Sequence, residues 1–221
     1  NSYGTAGITY TVSDSHYRMP STGSSYAIAD DNDGIQTDAR ALAAADFTIA
    51  NYDVIAVYFP KLTELSGSQI TYGGLGSIGG AKHWINGSNS VGIILHEFGH
   101  NYGLYHANYH HPEQELPGSY QQAGSLEYGD IFDEMGSGNS PEAHFSPLAK
   151  NYLDWLPDSK VQTATTSGTF TIHRFDDSNA LSNTTLALKV PMDGDVNYWV
   201  GYRQLYTSAN YNLSNAAYVV A

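Results

Sequence analysis

An α/β (α+β) fold followed by a β-rich C-terminal region is what the 221-residue sequence predicts. Three observations carry this. The first 60 residues read strand, helix, strand. An apolar helical run then breaks into "HEFGHNYGLYH" (His96–His106), and a second helix reads at Ser146–Leu156. After Pro157 the texture changes to alternating apolar and β-branched runs with few helix signals.

Taken in order, "AGITYTVSD" (Ala6–Asp14) alternates as a half-buried strand does. A Ser/Gly/Asp-rich loop follows. From about Asp33 to Asn51, Ala39, Leu42, Ala43, Asp46, Phe47 and Ala50 recur at helical spacing behind an acidic first turn. "DVIAVYFP" (Asp53–Pro60) is a short apolar run closed by proline, the pattern of a buried strand. "GGLGSIGGAKHWINGS" (Gly73–Ser88) reads as a glycine-rich loop running into an exposed edge strand over Ala81–Ile85. Ser90 can cap the next helix, whose apolar content is Val91, Ile93, Ile94, Leu95 and Phe98, and Gly103 can end it. Tyr105–Gly138 is irregular, and so long a loop in a compact domain points to function. Pro147 fits the first turn of the second helix. "GTFTIHRF", "LALKVPM", "YWVGYRQLY" and "AAYVVA" read as strands. The expected organisation is a catalytic domain over residues 1–157, its upper portion spanning 1–103 and its lower portion 104–157. A β-rich region, 158–221, follows and can be integral to it.

Composition excludes several function classes. There are 22 acidic and 9 basic residues, a net charge of −13, and no basic stripe, so neither a nucleic-acid surface nor an anionic membrane surface is expected. Without cysteine there are no disulfides, thiolate ligands or thiol nucleophiles. No apolar run approaches the roughly 20 residues of a spanning helix. The chain begins at Asn1, not methionine, and the expectation is a processed or excised product that is secreted, extracellular and monomeric.

His96 and His100 are four apart on the predicted helix, so both imidazoles lie on one face, one turn apart. Two nitrogens so placed can bind one ion at about 2.0–2.1 Å each. Glu97, in a neighbouring sector, can reach water at the metal without being a ligand. A tetrahedral catalytic ion needs a third protein ligand and one open position. His106 can supply the ligand if the chain turns back at Gly103, where glycine adopts positive φ at little cost. Chance is a poor account: five fixed positions at roughly 5% usage recur about once in three million starts. His110 and His111 are rival third ligands, though at a worse offset from Gly103.

"HEFGHNYGLYH" resembles the full signature of the metzincin zinc peptidases. "YGDIFDEMGSG" (Tyr128–Gly138) supplies the methionine turn of that group, with Met135 as its methionine. With "HFSPLAKNYLDWL" (His144–Leu156), and more weakly "GGLGSIGG" and "YWVGYRQ", the pattern is most similar to the gametolysin group. The resemblance is concentrated in residues 91–156. It implies a twisted, mostly parallel sheet with one antiparallel edge strand, an active-site helix, a second helix, and a cleft between the upper and lower portions. It implies one catalytic Zn2+ on His96, His100 and His106, Glu97 as general base, and Gly103 and Met135 as structural residues of the site. The substrate would be an extracellular or cell-wall protein or peptide, laid along the edge strand at Ala81, His83 and Ile85. Ala107 after the third histidine, and Ser137 two places past Met135, depart from the better-known subfamilies and leave the oxyanion donor unassigned.

Calcium is a second candidate cofactor. "DDNDG" (Asp30–Gly34) fails as an EF-hand, because Ala29 and Arg40 fall at ligand positions. Asp130, Asp133 and Glu134, or Asp176, Asp177, Asp193 and Asp195, could bind calcium or anchor loops. The alternative function is a non-catalytic, metal-containing binding or adhesion module related to metzincins. The intact Glu97 weighs against it, since a binding module needs no base. A β-rich module, 158–221, that binds polysaccharide or matrix through the pairs Tyr198-Trp199 and Tyr202-Tyr206 is a third reading, against which stands ordinary core packing.

Overall fold

The computed structural model describes residues 2–110, 125–138, 143–192, 196–203 and 216–220. It is mixed α/β, with two mixed sheets and few helices. The chain divides into two units, Thr9–Tyr105 and Asn1–Ile8 with His106–Ala221. No helix among the described residues is long and apolar enough to cross a membrane.

The unit Thr9–Tyr105 holds α1 (Gly23–Ala29), α2 (Asn32–Ala43), β1 (Ile55–Phe59), β2 (Gly74–Gly76), β3 (Lys82–Asn86) and α3 (Val91–Asn101). Its sheet has the order β1-β3-β2. β1 runs parallel to β3, with Val57 opposite Trp84, and β2 runs antiparallel, with Leu75 opposite Trp84. Alternate β3 side chains go to opposite faces. Trp84 is fully buried among Tyr26, Ala27, Ile35, Leu62 and Ile70, with its ring stacked 5.3 Å from Tyr72. Burying so large a ring contributes on the order of 5 kcal/mol. His83, on the other face, lies 4.6 Å from the Phe98 ring of α3.

That burial corrects the edge-strand expectation. Lys82–Asn86 is the central strand, paired on both sides, and the antiparallel edge is Gly74–Gly76. His83 is 0% exposed and Ile85 4%, so neither side chain is open to a peptide, and Ala81 enters a strand with no free edge. The second correction concerns Ala6–Asp14, which forms no strand. Ile8, Tyr10 and Val12 are all exposed, because among the described residues no strand pairs with the segment. Alternation produces a strand only where a sheet takes one face. The helix expected to Asn51 stops at Ala43, and Ile49–Asn51 is a single 3-10 turn. Beyond Ala43 the alanines are exposed, so nothing packs against a further turn. The expected loop before it holds α1, capped by the Thr22 side chain.

The second unit contains the pair β4 (Tyr109–His110) and β5 (Ser125–Leu126), α4 (Pro147–Tyr152), and the sheet β6-β7-β8-β9 (Val161–Thr163, Ala187–Pro191, Asn197–Arg203, Ala216–Val220). β6 and β7 are parallel and the remaining pairs antiparallel. One core joins Leu156, Phe175, Leu186, Ala187, Trp199 and Tyr218, with Phe132 and Leu148 packed on it. The C-terminal strands therefore share a core with α4 and with the turn before it, and Trp199 is spent on packing.

Candidate metal centre

Ser90 accepts the Ile93 N–H and starts α3. The helix ends in a Schellman turn: Gly103 N–H bonds His100 O at 2.8 Å and Leu104 N–H bonds Gly99 O at 3.0 Å. Gly103 takes φ 98°, as the sequence required. The same turn presents the Leu104 carbonyl to His100 Nδ1 at 2.8 Å. A carbonyl only accepts, so Nδ1 carries the proton and Nε2 is left as the ligand atom. The His96 and His100 rings stand 4.8 Å apart and nearly perpendicular.

His106 follows the turn. Its Nδ1 lies 2.8 Å from Glu127 Oε1, and its ring packs 3.9 Å from the Tyr128 ring. One ligand atom from each of His96, His100 and His106 lies within 4.8 Å of the others, so the three fit a shared metal ion. Among the described residues this is the one group of three or more such side chains that could hold an ion. Of the rival ligands, His110 lies in β4, and His111 lies outside the described residues.

Glu97 is 6% exposed. Burial pushes its carboxyl up to about 7, opposed by a hydrogen bond from the Gly76 N–H. β2 can lie this close to α3 because it is glycine. A Cβ on Gly74 would sit 2.7 Å from Glu97 Cγ, and one on Gly76 would sit 2.3 Å from the Glu97 carbonyl oxygen. Asn101 fastens the end of α3 to the β2–β3 connection: its Nδ2 reaches the carbonyls of Gly80 at 2.9 Å and Lys82 at 2.8 Å. Its Oδ1 accepts from His83 Nδ1 at 3.0 Å, so the buried His83 ties β3 to the end of α3.

Met135 is buried at 2% exposure, and its carbonyl accepts the Ala107 N–H at 2.8 Å, tying the turn to the residue after His106. Asp133 holds the turn by accepting Met135 N–H at 2.8 Å and Ser146 N–H at 2.7 Å. Asp130 accepts from Phe132 N–H at 2.9 Å and from the Tyr218 hydroxyl at 2.5 Å. Both acids anchor the loop instead of gathering around calcium. Asp176 faces the buried Arg203, and Asp177 pairs with Arg174. Asp193 and Asp195 lie outside the described residues.

Sequence reading missed Glu127, Asn101, Gly74 and Gly76. Nothing local marks Glu127, which is 21 residues from His106. The glycine run was visible, but the face that needs it belongs to another element. The chain matches no protein-family model, no curated protein and no solved structure.

Proposed function

We propose that the chain is a zinc-dependent endopeptidase of the metzincin kind, most similar to the gametolysin group, which acts on extracellular or cell-wall proteins outside the cell. The observation that carries this reading is the gathering of His96, His100 and His106 within 4.8 Å, with a buried glutamate, Glu97, next to the first of them in sequence. Three imidazole donors suit zinc. Bound zinc supplies Lewis acidity, acidifying water toward a pKa of ~7 and polarising a carbonyl.

The chain's own residues do the rest. His96, His100 and His106 would hold the ion, and the Leu104 carbonyl and Glu127 fix two of their tautomers. Glu97, a buried carboxyl next to the first histidine, takes a proton from the attacking water and returns it to the leaving amine. β2 is the end strand of its sheet, and an extended peptide that pairs with it lies alongside the helix that carries Glu97.

The test incubates an unfolded protein substrate with wild type, with Glu97→Gln and with a zinc-chelated sample, and reads new peptide termini. Wild type should cleave. Glu97→Gln should keep its zinc and lose about 10²–10⁴-fold in turnover. Equal cleavage by the Glu97 variant sinks the mechanism. Zinc binding without cleavage of any substrate favours the binding-module alternative.

A further inference from the structure

We propose that Glu127 is a positioning residue for the metal centre: its carboxylate fixes the tautomer and orientation of His106 and so sets how tightly the site holds its ion. The inference rests on the metal-site reading above.

His96 and His100 are held by a capped helix of 11 residues, but His106 lies past its end. The ring needs its own support, and two consecutive residues give it. Glu127 Oε1 stands 2.8 Å from Nδ1, and the Tyr128 ring covers the imidazole at 3.9 Å. A carboxylate can only accept here, so Nδ1 carries the proton and Nε2 faces the ion. The backbone is built to bring both side chains to one ring. Tyr128 takes φ 58°, a left-handed conformation uncommon for a non-glycine residue. Four hydrogen bonds hold it there: Tyr128 N–H to Asn108 Oδ1 at 3.1 Å, Gly129 N–H to Leu126 O at 3.0 Å, Asp130 N–H to Ala107 O at 3.2 Å, and Ser137 Oγ to Tyr128 O at 2.8 Å. The segment is thereby fixed to Ala107 and Asn108, the residues that follow His106.

His100 has a neutral carbonyl in the equivalent position. The partner on His106 is a carboxylate, which lowers the net charge of the occupied site. Partners of this kind are typically worth 10–100-fold in metal affinity. Glu127 is exposed at its outer side, so replacing it leaves the core intact.

The experiment compares wild type, Glu127→Ala, Glu127→Gln and a surface-acid control, Glu64→Ala. Zinc affinity is read by competition with a chromophoric chelator, and the His106 tautomer by nitrogen NMR of the metal-free proteins. Glu127→Ala should bind zinc 10–100-fold more weakly and lose the predominance of the Nδ1–H tautomer. Glu127→Gln should fall between, because its amide oxygen still accepts, and Glu64→Ala should match wild type. Wild-type affinity in Glu127→Ala overturns the proposal, as does an unchanged tautomer. If wild type takes up no zinc, the metal-site reading fails, and the tautomer still judges whether Glu127 orients the ring.

Discussion

At the scale of single residues, Gly74 and Gly76 pose different problems for a methyl group. A Cβ at Gly74 meets the Cγ and Oε1 of Glu97, at 2.7 and 2.8 Å. That side chain can swing away, so Gly74→Ala should fold with nearly normal stability and lose activity through a displaced base. A Cβ at Gly76 meets the Glu97 carbonyl oxygen at 2.3 Å and His100 Cβ at 3.1 Å. Neither can move unless α3 moves. Gly76→Ala should lose about 1–3 kcal/mol of stability, the usual range for overpacking. Urea denaturation beside turnover on one peptide separates the two outcomes. Equal loss of stability in both variants would show that β2 shifts as a body and that the glycines have no separate roles.

Among the elements, α3 and its Schellman turn do most to place the ligands. Gly103 at φ 98° sets the direction of the chain toward His106 and aims the Leu104 carbonyl at His100. Gly103→Ala should cost on the order of 1–2 kcal/mol. Its effect should be larger with zinc present, since both features serve the site, so the rise in Tm on adding zinc should shrink. An undiminished rise would separate the turn from metal binding. This element was legible in the sequence because its signals are local: Ser90 caps it, its apolar residues recur within it, and Gly103 ends it. β2 was not legible. A strand of Gly-Leu-Gly has no alternation to read, and its reason for being glycine lies on α3. Ala6–Asp14 failed in the opposite way. Its alternation is plain, but the partner that would make it a strand is a property of the fold, not of the segment. Ala81–Ile85 reads as an edge strand but lies in the middle of its sheet for the same reason, since sequence shows that a strand is buried more readily than which neighbours bury it.

At the scale of the whole molecule, pH acts through a few buried groups in the unit that follows His106. Burial pushes Asp133 up to about 6 and Glu134 up to about 8, and it lowers His144 to about 2 and Lys150 to about 7. These groups oppose one another. A carboxyl whose pKa is raised by folding stabilises fully below its unfolded value and loses that contribution as pH rises through the folded one. For Glu134 the window runs from its ordinary 4.5 to about 8, because the folded state keeps a proton that the unfolded state has released. His144 works the other way: its contribution is complete above 6.5 and is lost as pH falls toward 2. Lys150, 3.1 Å from His144, adds stability as pH rises from about 7 toward 10.5. Glu134→Gln removes one of these titrations and keeps the side chain's shape. Wild type should lose relative stability to this variant steadily between pH 4.5 and 8, and below 4.5 the difference between them should stop changing with pH. Thermal melts of both proteins across that range, without metal, measure the difference directly. A difference independent of pH would mean that Glu134 titrates alike in the folded and unfolded protein, with the attraction of Arg203 balancing the burial and the repulsion from Asp133.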